Sequence, residues 1–264
     1  MNAILNYLAL AVAYIRLNLR AALEYRAAFW WQVGGMFINN TMWVVFWVLF
    51  FTRFPVLRGW TVNDVITVWA LAASGFGLSA SIAGNSLTLA SIIAQGQLDV
   101  WMLYPRKLLP HLLLGRMSIF SIGDALFGFV VYIVMIRPDL PHLVLFLLLV
   151  LSTAFLFLGF SILTGSLSFY LGNASVLADQ WRFALITFGT YPAVLFDGGA
   201  KLILYTVIPA FFISQYPIEA LRNLSLGNAF MAFLGAAVVL GLGVFVFYHG
   251  LRRYESGNLM EMRG

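Results

Sequence analysis

The sequence predicts an all-α polytopic membrane protein with six transmembrane helices, an N-terminal interfacial elbow helix, a cytoplasmic coupling helix and a re-entrant element before the last span. Of its 264 residues, 62% are hydrophobic and only 9% are charged, too few charges for a soluble domain of this length. The apolar residues form runs long enough for helices that cross a hydrocarbon core, which takes roughly 20 residues. Runs such as "LVLFLLLVLSTAFLFLGF" lack the alternation expected of an outer-membrane barrel. We expect residues 1–264 to form one transmembrane domain.

Residues 1–26 are predicted to form an amphipathic helix that lies in the membrane interface. The polar side chains fall within one narrow sector of a helix, namely Asn2, Asn6, Arg16, Arg20 and Glu24. No basic residues precede the apolar stretch and no small-residue cleavage site follows it, so we expect the segment to be retained rather than removed as a signal peptide. A short, poorly anchored span is the alternative.

Hydrophobicity divides the rest of the chain into six passes. They are expected at about residues 27–51, 62–94, 117–136, 142–171, 183–196 and 228–250. A further apolar piece, residues 202–213, follows the turn "DGGAK", and prolines interrupt this whole region. Each of the two pieces is short for a span, and together they are too long for one straight helix. We therefore predict one crossing helix and then an extracytoplasmic re-entrant region at residues 197–222.

The basic residues predict the orientation of the chain. With the N-terminus in the cytoplasm, ten Lys and Arg residues lie in inner segments and five in outer segments, as the positive-inside rule requires. A seventh crossing at residues 202–213 would change this ratio to seven against eight. We therefore expect both termini, and the stretch 96–116, in the cytoplasm. The net charge of +5 is then a property of these loops, and no nucleic acid partner is expected.

The stretch "GQLDVWMLYPRKLLPHLLLGR" is longer than a connection between antiparallel helices needs. Its part "QLDVWMLY" is expected to form about two turns of helix, with Asp99 in the first turn and Pro105 at the end. Trp101 is expected to anchor this helix at the interface, while Arg106 and Lys107 face lipid phosphates or a protein partner. An interfacial loop without a partner is the alternative.

The order of the predicted elements along the chain resembles that of the membrane subunit of an ABC-2-type exporter, in the small six-span subfamily of bacterial permeases. These elements are the N-terminal amphipathic helix, the six spans, the cytoplasmic stretch between the second and third spans, and the re-entrant region before the last span. The similar motifs are "GQLDVWMLYP", "YPAVLFDG" with the following "VIPAFF", and "GLRRYESGN", and the resemblance covers essentially the whole chain. It implies a bacterial inner-membrane complex of two permeases, identical or paralogous, with two separate ABC ATPase subunits. The expected ATPase-coupling positions are Gly96, Leu98, Asp99, Trp101, Pro105, Arg106 and Lys107.

The resemblance also implies that the chain binds no cofactor directly, and that ATP and Mg²⁺ are bound by the partner ATPase. The sequence agrees, because it has no G-x-x-x-x-G-K-[ST] phosphate loop. It has no H-E-x-x-H or G-x-S-x-G motif, three widely separated histidines and no cysteine, so neither catalytic nor metal-binding residues are expected.

Four polar residues at membrane depth are candidates for a translocation path. They are Gln32, Asn39, Asn40 and Asp124. For Asp124, the alternative is contact with headgroups or pairing with Arg116 or Arg182; for the asparagines it is hydrogen bonding within the packed helices.

The functional prediction is a permease subunit of an ATP-driven exporter. Its substrate is expected to be apolar, amphipathic or polymeric and to leave from the cytoplasm or the inner leaflet. An ion-coupled secondary transporter or channel subunit is the alternative, with Asp124 as its ion-binding residue.

Overall fold

A computed structural model describes residues 3–254, and side chains from residue 9 onward. Asn2, the side chain of Asn6, and the part of "GLRRYESGN" from residue 255 lie outside the described residues. Within residues 3–254 the chain forms thirteen α-helices and no β-strand, which confirms the predicted all-α class. The helices are α1 (Ala3–Glu24), α2 (Arg26–Arg53), α3 (Val62–Ile82), α4 (Leu89–Ala94), α5 (Leu98–Met102), α6 (Leu108–Leu114), α7 (Ile119–Val131), α8 (Leu140–Gly165), α9 (Ser168–Leu171), α10 (Ser175–Thr190), α11 (Gly198–Thr206), α12 (Gln215–Asn223) and α13 (Leu226–Leu251).

Five helical stretches are long and apolar enough to cross a membrane. They are Arg26–Arg53, Val62–Ile82, Ile119–Ile136, Leu140–Leu171 and Leu226–Leu251, and the bent pair Gly198–Thr206 with Ala210–Asn223 would make a sixth. Helix α1 is not among these stretches, and its Arg16, Arg20 and Glu24 are exposed. The interfacial position of α1 stays a prediction.

Close helix contacts at glycines build the core around α3, which packs against α7 and α8. A Cβ atom at Gly77 would lie 2.2 Å from the backbone nitrogen of Ala125, and one at Gly159 would lie 2.4 Å from the Cα of Leu240. These glycines therefore allow α3 to contact α7, and α8 to contact α13, at backbone distance. Gly241, in contrast, faces open space.

The second span ends earlier than the sequence predicts. Helix α3 stops at Ile82, a 3₁₀ turn follows, and α4 is a separate short helix, so residues 62–94 are not one span. The Gly84 N–H donates to the Arg116 carbonyl oxygen at 2.8 Å, and the Ser118 N–H donates to the Ala80 carbonyl oxygen at 3.1 Å. The chain at 116–118 thus lies against the end of α3, where a Cβ at residue 84 would be only 2.7 Å from the Arg116 oxygen.

The fifth crossing also differs from the prediction, because α10 covers Ser175–Thr190 instead of residues 183–196. The helix ends just before Pro192, and its 16 residues are fewer than the roughly 20 needed for a full hydrocarbon span. A 3₁₀ turn, Ala193–Leu195, then leads into α11.

The segment 198–223 begins and ends at the same end of the bundle. Arg58 donates to Asp197 at 2.7 Å, before α11, and Arg222 donates to Asp64 at 2.8 Å, at the end of α12. Arg58 lies in the short connection from α2 to α3, and Asp64 lies in the first turn of α3, so both ends of the bent pair contact the same part of the chain. The pair is bent by 71°, and because its two ends lie together we refer to it as the re-entrant element. We call this the re-entrant end of the bundle.

The opposite end, which we call the 96–116 end, holds both ends of the described chain. The Tyr14 hydroxyl of α1 lies 3.4 Å from His111 Nδ1, and the Tyr254 ring packs against Phe169. Helix α10 runs toward the re-entrant end, because the Tyr191 ring just after it meets the Trp47 ring in the second half of α2.

Candidate functional site

A cleft of about 410 Å³ lies on the flank of the bundle, between α2 and α10, with α3 and α7 behind it. Aromatic side chains form much of its wall. Trp43 of α2 stacks on Trp69 of α3, with ring centroids 5.6 Å apart, and Tyr191, which also lines the cleft, packs edge to face against Trp47 behind it. Phe183 of α10 is 67% exposed at the rim. Such an apolar concavity with few polar groups is typical of small-molecule sites.

The principal polar feature of the cleft is a buried pair from two helices. The Asn40 Nδ2 of α2 donates to Asp124 Oδ1 of α7 at 2.6 Å, and also to the Met36 carbonyl oxygen at 3.0 Å. Both side chains line the cleft, and Asp124 is 4% exposed. The pair forms because α2 and α7 pack closely beside it: a Cβ at Gly123 would lie 2.4 Å from the Val33 carbonyl oxygen.

Asp124 has one carboxylate oxygen that the described chain does not satisfy. Its Oδ2 is buried and has no hydrogen-bond partner among residues 3–254. The expectation that Asp124 faces headgroups, or pairs with Arg116 or Arg182, is wrong, because the side chain lies inside the bundle beside Asn40. Arg182 instead pairs with Asp179 on its own helix.

Three of the four predicted path residues meet in this cleft. Asn39 lines the cleft with Asn40 and Asp124, whereas Gln32 does not. The wall from α10, including Thr187 and Phe183, was missed because its residue types are ordinary for an apolar helix. Only the packing of α10 across the bundle brings them to the cleft.

The second candidate site is the 96–116 stretch, which forms two short helices instead of one. Helix α5 ends at Met102, before Pro105, and α6 follows after a turn. Gly96 has a φ of +71°, a conformation that favours glycine. Leu98 is fully buried in an apolar cluster at this end of the bundle, where it joins α4, α6 and α13.

Trp101 points into the protein instead of serving as a free interfacial anchor. Its ring fills the space beside Gly115, where an added Cβ would lie 2.2 Å from the ring, and it meets the His111 ring at 5.2 Å between centroids. Burial, and then the positive charge of Arg106, lower the pKa of His111 below its usual range. Trp101 and His111 thus join α5, α6 and α1 into one packed unit.

Asp99 is linked to the end of the described chain. The Tyr254 hydroxyl lies beside the Asp99 carboxylate, and burial together with this neighbour raises the pKa of Tyr254 to about 12. The last helix, α13, ends three residues before Tyr254, so α5 lies close to the end of α13.

A continuous exposed surface covers the turn after α5, and we call it the 100–107 surface. Leu103 is 83% exposed and Tyr104 52%, and basic groups follow them directly. Its other exposed members are Val100, Met102, Pro105, Arg106 and Lys107. Exposed apolar groups beside basic groups are typical of a surface that binds a protein partner.

Comparison with known families now identifies the chain. Residues 37–257 match the family described as ABC-2 family transporter protein, and this match includes the 100–107 surface and all the cleft-lining residues except Met36. No curated protein and no solved structure matches the chain. The family comprises membrane subunits that are generally not catalytic themselves and that belong to ABC transporters with an ATPase partner. The resemblance recognised in the sequence is therefore confirmed, and the chain belongs to the ABC-2 family as a membrane-embedded permease subunit of an ABC transporter.

Proposed function

We propose that this permease exports an apolar or amphipathic small molecule, which reaches the α2–α10 cleft from the cytoplasm or the inner leaflet. The observation that carries this proposal is the cleft itself, which is mainly apolar and has exposed aromatic rings at its rim. A substrate dissolved in the membrane could enter sideways past Trp43 and Phe183 without first crossing a polar surface. A cleft of about 410 Å³ favours a small molecule over a polymer.

The proposed ATPase contact is the 100–107 surface. The apolar Leu103 would insert into the ATPase, and Arg106 with Lys107 would contact its acidic groups. Motion of the ATPase would then pass through Trp101 to α6 and α1, and through Asp99 to the end of α13. Gly96, Leu98 and Pro105 would fix the position of this segment against the bundle.

The proposed complex has two ATPase subunits and a second permease subunit, identical or paralogous, in the bacterial inner membrane with both termini in the cytoplasm. Helix α2 supplies a wide apolar face for a second permease or for lipid. Trp31 is 80% exposed on this helix and Leu49 is 63% exposed. ATP and Mg²⁺ would be bound by the ATPase partner.

The experiment compares two leucines that are almost equally exposed at opposite ends of the bundle. Leu103 is 83% exposed at the 96–116 end, and Leu226 is 81% exposed at the re-entrant end. The permease is purified in mild detergent as wild type, Leu103→Glu and Leu226→Glu, and the co-purifying ATPase is measured. ATP-driven transport of an amphipathic dye is measured in inverted vesicles from cells that express the same proteins.

Loss of ATPase and of transport with Leu103→Glu alone is the expected result, because a buried carboxylate at an apolar contact is left without a partner. Equal retention of ATPase by all three proteins would reject the 100–107 surface as the contact. Failure of any ATPase to co-purify with the wild type would reject the exporter proposal.

An ion-coupled transporter is the second candidate, because Asp124 is a buried carboxylate with an unsatisfied oxygen. The two candidates differ in their energy source. Transport that stops when a protonophore is added, but continues in vesicles without ATP, would favour ion coupling and reject the ATP-driven proposal.

A further inference from the structure

The unsatisfied oxygen of Asp124 constrains what the cleft can bind. A buried polar atom without a partner is unfavourable, and almost all such atoms in folded proteins find a partner, a water molecule or a ligand. Here Asn40 satisfies Oδ1 only, while Oδ2 has no partner in the described chain. Asp124 forms part of the cleft wall, so a molecule bound in the cleft would lie beside this carboxylate.

The charge of the cleft specifies the chemistry of that molecule. The described residues that line the cleft include no Arg, Lys or His, and Asp124 is their only acidic member. Asn40 donates a neutral hydrogen bond and supplies no counter-charge. A ligand with a positive charge and an N–H donor would supply both the counter-charge and the missing hydrogen bond. An anionic ligand would be repelled by the carboxylate.

The aromatic wall favours the same class of ligand. Trp43 and Trp69 are stacked on each other beside the cleft, and Phe76, Phe183 and Tyr191 complete the aromatic lining. Ring faces attract cations, and Trp is the most favourable of them. The same rings offer apolar area to the rest of the ligand.

We infer that the cleft binds cationic amphiphiles: molecules with a protonated amine on an apolar body, the ammonium group bonded to Asp124 and the body lying along the aromatic wall. This inference rests on the proposed function only for the claim that the bound molecule is exported. The binding itself depends on the geometry of Asp124, Asn40 and the surrounding rings.

The test uses two ligands that differ only in the charged group. Dansylcadaverine carries a primary ammonium group on a fluorescent apolar body, and N-acetyl-dansylcadaverine is its neutral amide. Binding of each is followed by energy transfer from tryptophan in the intact permease, reconstituted in lipid nanodiscs. The proteins are wild type, Asp124→Asn, which keeps the shape of the side chain, and Asp179→Asn, which removes an exposed carboxylate of α10 that does not line the cleft.

The wild type and Asp179→Asn are expected to bind the amine at least about tenfold more tightly than the amide, since a hydrogen bond to a charged group contributes more than a neutral one. In Asp124→Asn this preference should disappear, and thermal unfolding of the variant, followed by tryptophan fluorescence, checks that it is folded. Equal affinity of the wild type for both ligands, or a preference that survives in Asp124→Asn, would overturn the inference.

A second measurement needs no variant. Hydrophobic carbodiimides label buried carboxyl groups, and mass spectrometry locates the label. Dansylcadaverine should protect Asp124 from labelling at concentrations at which its amide does not, and equal labelling with both ligands would contradict the inference.

Transport separates this inference from the proposed function. If ATP-dependent uptake into inverted vesicles occurs equally for the amine and the amide, the exporter proposal holds and the cationic class is wrong. If the amine binds through Asp124 but neither ligand is transported, the binding inference holds and the exporter proposal loses its support.

Discussion

Replacement of Arg222 by alanine should release the end of the re-entrant element from the rest of the bundle. The Arg222 guanidinium donates through Nε to Asp64 Oδ1 at 2.8 Å, and its second nitrogen lies 2.7 Å from Asp64 Oδ2, a bidentate contact. It also donates to the Gly59 carbonyl oxygen at 3.0 Å and lies 5.5 Å from the centre of the Trp60 ring. One side chain therefore joins α12 to the connection between α2 and α3.

The burial of this pair determines the expected magnitude. The Asp64 side chain is 12% exposed and that of Arg222 is 35% exposed, so the pair is partly removed from water. The loss of hydrogen bonds to a charged group in such a setting costs about 2–3 kcal/mol of unfolding free energy. At about 2–4 °C per kcal/mol for a chain of this size, the melting temperature should fall by about 4–12 °C.

The matched control is Arg58→Ala, which breaks the ion pair with Asp197 at the other end of the re-entrant element and the bond to the Val194 carbonyl oxygen. The side chains of Arg58 and Asp197 are 61% and 76% exposed. Solvent screens a pair this exposed, so its loss should change the unfolding free energy by about 0–1 kcal/mol. Thermal unfolding of the purified variants in mild detergent, followed by tryptophan fluorescence, measures both shifts.

A third variant, Arg222→Lys, keeps the charge but loses the planar fork that contacts both oxygens of Asp64. Its melting temperature should lie between those of Arg222→Ala and the wild type. Equal shifts for Arg222→Ala and Arg58→Ala, or a wild-type melting temperature for Arg222→Ala, would refute the reasoning that the buried bidentate contact holds the element.

Three further predictions concern helix packing, pH and the 96–116 stretch. Gly159→Ala should lower the free energy of unfolding, and with it the melting temperature, by about 1–3 kcal/mol, because the new methyl group meets the backbone of α13. Its control is Gly241→Ala, which faces open space and should be neutral or slightly stabilising. Since the pKa of His111 is lowered in the folded state, its neutral form contributes stability at pH values above 6.5 that is lost as the pH falls through the lowered pKa. Melting temperatures measured against pH should therefore decline less steeply on acidification in His111→Gln than in the wild type, and a wild-type slope in that variant would contradict the assignment. Trp101→Ala should lower the free energy of unfolding by about 2 kcal/mol, because it leaves a gap between α5 and α6, and it should reduce the amount of co-purified ATPase. Unchanged ATPase binding would show that the packing of α5 is not needed for the contact with the ATPase.

The apolar runs alone predict most of the spans, because hydrophobic length is a local property of the chain. The last span, expected at residues 228–250, is the helix Leu226–Leu251, and the first, expected at 27–51, is Arg26–Arg53. The re-entrant element was predicted in the same way, from short apolar pieces interrupted by prolines. The family was also recognisable, since its motifs are contiguous stretches of sequence.

The errors lie where distant parts of the chain determine local structure. The end of α3 could not be predicted from its own residues, because the backbone at Arg116 meets it at Gly84. Helix α6 was not predicted for a related reason: its leucines lie in a stretch expected to be a cytoplasmic connection, and only contacts with other helices bury them in the cluster around Leu98.

The candidate site, too, could be predicted only in part from the sequence. The sequence by itself determined that the chain is a helical membrane protein of the ABC-2 family, and it identified Asn40 and Asp124 as polar groups at membrane depth. It could not show that these side chains, 84 positions apart, bond to each other, or that Arg222 reaches Asp64 across 158 positions. Those contacts depend on which helices become neighbours, and only the tertiary structure decides that, because the hydrophobic pattern buries each helix without specifying its partners.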